Sequence, residues 1–141
     1  MRLVDTNVLL YAVSRLPEEA SKRIRARELL TEPELCVSVQ VLQEFYHQAT
    51  RSNRPGRMIY EDALEFMEPI MLLPVQAIIL EIFRDAVAIS RRFRLSYWDG
   101  AILAAARALG CDAVYSEDLS SEQDYDGLRV INPFTDQADP Q

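Results

Sequence analysis

Four acidic residues fall where elements of structure begin or end. Asp5 follows the apolar pair Leu3-Val4, Glu44 lies in Val41-Leu-Gln-Glu-Phe45, Asp99 in Trp98-Asp-Gly100, and Asp118 in Ser116-Glu-Asp118. In open α/β sheets, sites form beyond the carboxyl ends of the strands. Carboxylates gathered there repel one another in a low-dielectric cleft. A divalent cation among them relieves that repulsion, and an all-oxygen ligand set suits Mg²⁺ or Mn²⁺. The chemistry would be metal-assisted hydrolysis, with acids as ligands and water as nucleophile. Each acid also has an ordinary reading. Asp5 or Asn7 could cap a helix, and Ser96-Tyr-Trp-Asp99 fits a capping box. Glu44 could be a solvated helix residue and Asp118 a turn acid. Their joint placement favours the cluster.

Other chemistries find less support. The single histidine, His47, stands one turn beyond Glu44, and it either touches substrate or is an exposed helix residue. One His and no G-x-S-x-G leave no serine triad. Only four glycines occur, in neither a Walker A nor a G-x-G-x-x-G pattern. Cys36 and Cys111 lack zinc spacing and read as buried reduced thiols.

The elements that must position the acids alternate along the chain. Residues 2–4, Leu35–Val39, Ala113–Ser116 and Leu128–Ile131 read as strands, with a further strand candidate at Ile70–Leu73. Helices are expected over Asn7–Ser14, Pro17–Leu30, a segment after Val39, Met58–Met67, Pro74–Phe93 and Trp98–Leu109. This alternation predicts an α/β fold with a central, mostly parallel sheet of four or five strands. Residues 1–134 read as one domain and 135–141 as an acidic tail.

The net charge of −7 is uneven: residues 112–141 carry eight acids against Arg129, and the rest of the chain is neutral. An acidic total argues against nucleic acid in general, so local basic patches matter more. Fourteen of the fifteen basic residues are Arg, whose planar fork suits phosphate. Arg51, Arg54 and Arg57 share a loop, and Arg91, Arg92 and Arg94 precede Asp99. Both groups could flank an acidic site for RNA, or simply solvate a loop and a helix end. Trp98 and Tyr97 could stack an unpaired base, or Trp98 could anchor the helix start. No apolar run reaches membrane-spanning length and no signal pattern appears, so the expected location is the cytoplasm.

The ordered set Leu3-Val-Asp5-Thr-Asn, Glu44, Trp98-Asp99-Gly, Ser116-Glu-Asp118, with the closing Val130-Ile-Asn-Pro-Phe134, resembles a PIN domain of the VapC toxin type over residues 1–134. That resemblance implies a three-layer α/β/α domain and a Mg²⁺- or Mn²⁺-dependent endoribonuclease, usually the toxin of a type II toxin–antitoxin pair. Carried over by position, Asp5 and Asp99 would be the principal metal ligands, and Glu44 and Asp118 would complete the catalytic acids. Thr6, Asn7 and Ser116 would orient carboxylates or phosphate. The implied partners are RNA, a VapB-like antitoxin and a second copy of the chain. Apolar residues of Pro74–Phe93 outside the core are a dimer candidate, as is the helix at 17–30, which equally suits the antitoxin. Gly100 departs from the pattern, where Ala is more usual. Asp124 and Asp126 either join the site or belong to a solvated loop. The alternatives are a PIN-like module binding RNA or a partner without turnover, and another Mg²⁺-dependent phosphohydrolase. Mutually repelling acids argue against the first, and the missing second Asp of D-x-D-x-T argues against one such phosphohydrolase superfamily.

Overall fold

The apolar strand segments assemble into a single parallel sheet in the computed structural model, which describes residues 1–121 and 123–135. Residues 136–141 of the expected tail lie outside the described residues. The strands are β1 (Arg2–Val4), β2 (Leu35–Ser38), β3 (Val75–Gln76), β4 (Ala113–Tyr115) and β5 (Arg129–Ile131), in the order β3-β2-β1-β4-β5. Every pair is parallel, so all carboxyl ends share one edge. Leu3 and Val4 of the central strand are fully buried. The chain steps outward from β1 to β2 and β3, then returns to β4 and β5. The direction therefore reverses between β1 and β4, which is where open α/β sheets place their ligands.

The helices are α1 (Thr6–Ala12), α2 (Ala20–Leu29), α3 (Val39–Thr50), α4 (Tyr60–Ile70), α5 (Leu80–Phe93) and α6 (Tyr97–Ala108). Right-handed crossovers put α1 to α4 on one face of the sheet and α5 and α6 on the other. The result is the expected three-layer α/β/α architecture. No described helix is long and apolar enough to cross a membrane.

Several boundaries move, for local reasons. Pro17 opens a 3-10 turn over Pro17–Glu19, and α2 begins only at Ala20. Val39 leaves the expected strand to open α3, because Ser38 caps that helix, its hydroxyl accepting from the Val41 N–H at 3.2 Å. The strand candidate Ile70–Leu73 is instead the end of α4 and the turn after it. The N–H groups of Met71, Leu72 and Leu73 are taken by Met67, Pro69 and Ile70, so none remains for a ladder. The edge strand is β3, where Val75 and Gln76 pair with Val37 and Ser38. Pro74 fits there because an edge residue needs no N–H, and its carbonyl accepts from the Val37 N–H at 3.1 Å. Helix α5 consequently starts at Leu80, not at Pro74.

Two further features concern the packing. On α5, Ile82 and Ala86 pack against Ala101 and Ala104 of α6. Cys36 is buried, but Cys111 is only partly covered, and their sulfur atoms lie 3.0 Å apart as free thiols.

Candidate active site

Asp5 follows β1 and caps α1, as its ordinary reading expects. Its Oδ1 accepts from the Thr6 N–H at 2.7 Å, and its Oδ2 accepts from the Ser116 hydroxyl at 2.7 Å. The backbone holds it too, because the Asp5 N–H continues the ladder to the Tyr115 carbonyl at 3.0 Å. The residue is only 5% exposed. Burial is the main reason its pKa rises from 3.8 to about 6. The two hydrogen bonds oppose that rise, and the charges of Asp118 and Glu44 add to it.

Ser116 is fully buried at the end of β4 and organises the loop beyond it. Its oxygen accepts from the N–H groups of Asp118 and Leu119 at 3.1 and 3.4 Å, and from Asn7 Nδ2 at 3.5 Å. Asn7 also donates to Asp118 Oδ2 at 3.2 Å and accepts from the Glu117 N–H at 3.3 Å. Thr6 donates its hydroxyl to Glu44 Oε1 at 2.7 Å. The triplet Asp5-Thr6-Asn7 thus reaches Ser116, Glu44 and Asp118 from one turn of chain.

Asp99 arrives from the other face of the sheet. Ser96 caps α6 as expected, with the Asp99 N–H donating to Ser96 Oγ at 3.1 Å. Burial first, then the charges of Asp118 and Glu44, push its carboxyl above the ordinary range. Asp118 and Glu44 therefore act on both Asp5 and Asp99. Among the described residues, no three acidic, histidine or cysteine side chains stand at metal-ligating separation in this arrangement. The donor set still fits a hard cation. It is all oxygen, each carboxylate oxygen keeps a lone pair beyond its protein bond, and a cation would offset the repulsion that raises Asp5 and Asp99.

Residue types alone did not single out Gln40. It is buried on α3, one turn before Glu44, and its Nε2 donates to Glu44 Oε2 at 3.4 Å and to the Trp98 carbonyl at 3.3 Å. It ties Glu44 to the start of α6. The only available signal was its i,i+4 spacing from Glu44.

Glu117, beside Asp118, serves a different purpose. It accepts from Lys22 Nζ at 2.5 Å and from the Tyr11 hydroxyl at 2.6 Å. The Lys22 ammonium also sits 4.7 Å from the Tyr11 ring centre. This network pins the loop after β4 to α1 and α2. Lys22→Ala is expected to cost about 1 kcal/mol, modest because the pair is partly solvated. A urea unfolding midpoint unchanged by the substitution would remove this role.

The arginines are not equivalent. Arg92 is engaged with Asp126 at 2.8 Å, and Asp124 caps a turn through the Gly127 N–H at 2.8 Å. Both acids therefore belong to the β4–β5 loop. Arg91 and Arg94 are exposed and have no ion-pair partner among the described residues. Arg51 and Arg54 lie past the far end of α3, with Arg51 about 10 Å along its axis from Glu44. Nothing in the hydrogen bonding joins them to the acids. His47 is exposed on α3, and Trp98 is 62% exposed.

The PIN domain family model matches residues 2–122. No curated protein matches the sequence. Several solved structures share the fold. A toxin–antitoxin complex from Klebsiella pneumoniae has 20% identity and a TM-score of 0.68, with 95% of this chain and 98% of that chain covered. FitAcB from Neisseria gonorrhoeae has 21% identity and a TM-score of 0.67, covering 94% and 98%. VapC20 of Mycobacterium tuberculosis, described as a toxin cleaving the sarcin-ricin loop, has 18% identity and a TM-score of 0.65, covering 84% and 90%.

Proposed function

Because the chain belongs to the PIN domain family, we propose that it is a Mg²⁺- or Mn²⁺-dependent endoribonuclease, the toxin of a type II toxin–antitoxin pair. The observation that carries this reading is that Asp5 and Asp99, at one sheet edge, are each raised by burial and by the charges of Asp118 and Glu44, Asp5 to about 6. A pure binding module has no use for that repulsion. Two of the similar structures, a toxin–antitoxin complex and a toxin that cleaves the sarcin-ricin loop, support the partner and the substrate class.

Asp5 and Asp99 would hold the cation, with Glu44 and Asp118 completing the acidic shell. When bound, such an ion supplies positive charge to the attacked phosphate and acidifies a water. Ser116 and the Thr6 N–H fix both oxygens of Asp5, so its carboxylate cannot rotate. Thr6 and Gln40 do the same for Glu44. Asp118 is exposed and held on one oxygen by Asn7, which leaves it open to solvent. It is the proposed base that takes the proton from the attacking water. Attack at phosphorus opposite the 3′ oxygen breaks the P–O3′ bond. The products carry a 5′-phosphate and a 3′-hydroxyl, so the ribose 2′-hydroxyl takes no part. Arg91 and Arg94 are the cations best placed in sequence to meet the flanking phosphates. The same reading supplies a VapB-like antitoxin and a second copy of the chain as partners. Ile78, Ile79, Leu80, Phe83 and Val87 form an exposed apolar row for the latter.

The direct test incubates antitoxin-free protein with labelled structured RNAs in Mg²⁺, Mn²⁺ or EDTA, beside Asp99→Asn. Cleavage that needs metal and vanishes in the variant is expected. Cleavage of equal rate in EDTA would overturn the reading. Gln40→Ala is expected to lower kcat about 10- to 100-fold through the loosened Glu44. An unaltered kcat would show that Glu44 needs no such brace.

A further inference from the structure

A cavity of about 320 Å³ opens between α3 and the start of α6, lined by Gln40, Gln43, Glu44, His47, Gln48 and Trp98. The α3 positions repeat at helical spacing and form one face. Glu44 belongs to both the cavity and the acidic cluster, so the two are contiguous. The lining carries no cation, and Glu44 repels phosphate. Its other polar groups are three amides and an imidazole, which both donate and accept hydrogen bonds. Gln40 is 8% exposed, and its Oε1 accepts no hydrogen bond from the described residues. A buried acceptor left in that state calls for a donor from a ligand. The remaining wall is Trp98, 62% exposed. An occupant that suits all of this is neutral, planar, and rich in donors and acceptors at its edge.

We infer that this cavity is a base-binding subsite, in which an unpaired nucleobase beside the scissile phosphate stacks on Trp98 and meets the amides of Gln40, Gln43 and Gln48. The inference deepens the ribonuclease reading and rests on it for its substrate. Base stacking on an aromatic side chain is sequence-tolerant, whereas amides at the base edge discriminate. Trp98 therefore supplies affinity and the α3 amides supply preference. One rival occupant comes from the structure itself. Trp98 touches Tyr97 at 5.0 Å, and Tyr97 touches Phe83 of the exposed α5 row at 5.7 Å, so a second copy of the chain could cover it.

Trp98 is the single tryptophan of the chain, beside six tyrosines, so fluorescence excited selectively at tryptophan reports this site alone. The experiment titrates the full chain in EDTA with a short single-stranded 2′-O-methyl oligoribonucleotide, and with an abasic oligomer of equal length and charge. Saturable quenching by the first, and affinity at least about 10-fold weaker for the second, is expected. In cleavage assays, Trp98→Ala is expected to raise KM about 10- to 100-fold and Trp98→Phe much less. Equal affinity for the two oligomers would overturn the subsite while metal-dependent cleavage left the nuclease standing. Quenching by the base-bearing oligomer in a protein that cuts no RNA would support the subsite and sink the nuclease. If Trp98→Ala dissociates a dimer without changing KM, the residue is a contact between copies and the inference fails.

Discussion

Asp5→Asn is expected to slow cleavage severely and, in metal-free protein at neutral pH, to raise the melting temperature. The two effects share one cause. Asp5 has a pKa near 3.8 when unfolded and about 6 when folded. Between those values the native state binds more protons than the unfolded state, so this group's contribution to stability falls as pH rises. It is fully present below pH 3.8 and lost above pH 6. The difference corresponds to about 3 kcal/mol that the buried charge costs at neutral pH. Asparagine removes that charge while keeping an oxygen for the Thr6 N–H. The melting temperatures of wild type and variant should therefore draw apart between pH 4 and pH 7. Mg²⁺ should close the gap by stabilising only the wild type. Cleavage in the variant should fall roughly a thousandfold, since charge at the attacked phosphate is the largest single contribution such sites make. Parallel pH–melting curves, or a variant that cuts RNA at the wild-type rate, would remove Asp5 from the site.

Gly100→Ala is expected to damage both stability and activity, although alanine is the more usual residue in the motif that this stretch resembles. A Cβ at position 100 would stand 2.6 Å from the Ala86 carbonyl oxygen and 2.9 Å from Ser90 Cβ. The first contact is with backbone, which cannot rotate away. Overpacking of this kind costs about 1 to 3 kcal/mol, and the better helix propensity of alanine returns at most about 1 kcal/mol. The net loss should lower the melting temperature by roughly 5 °C. Helix α6 must also lift from α5 to make room, taking Asp99 with it. Displacing a catalytic group by about 1 Å can cost about a hundredfold in rate. Scanning calorimetry and RNA cleavage measured together test this. A variant as stable and active as wild type would mean that the two helices part at no cost.

The strands that carry the acids were legible because they are short, β-branched and followed at once by polar residues. Strand β3 was not, for physical reasons. It is two residues long, sits at the edge, and follows a proline that equally suits a helix start. The neighbouring Ile70–Leu73 looks more like a strand but has its N–H groups occupied by helix-end turns. Helix α5 gave no starting signal, since Ile79 caps it with no side-chain hydrogen bond. At the site, Asp5, Asp99 and Asp118 stand out by their places after strands or at a helix start, and local rules suffice to find them. Gln40 depends on the Trp98 carbonyl, which sequence spacing cannot bring near. The pairing of Arg92 with Asp126 joins residues of separate elements in the same way.

The junction between Asp5 and Ser116 spans 111 residues. That separation bears on the order in which the protein is made. A nascent chain that has not yet reached β4 carries Asp5, Glu44 and Asp99, but β1 lacks its partner on one side, and neither Ser116 nor Asp118 exists. Chains fold from the N-terminus as synthesis proceeds, yet here the first strand must wait for one of the last. The proposed site therefore stays incomplete until β4 and the loop beyond it have left the ribosome.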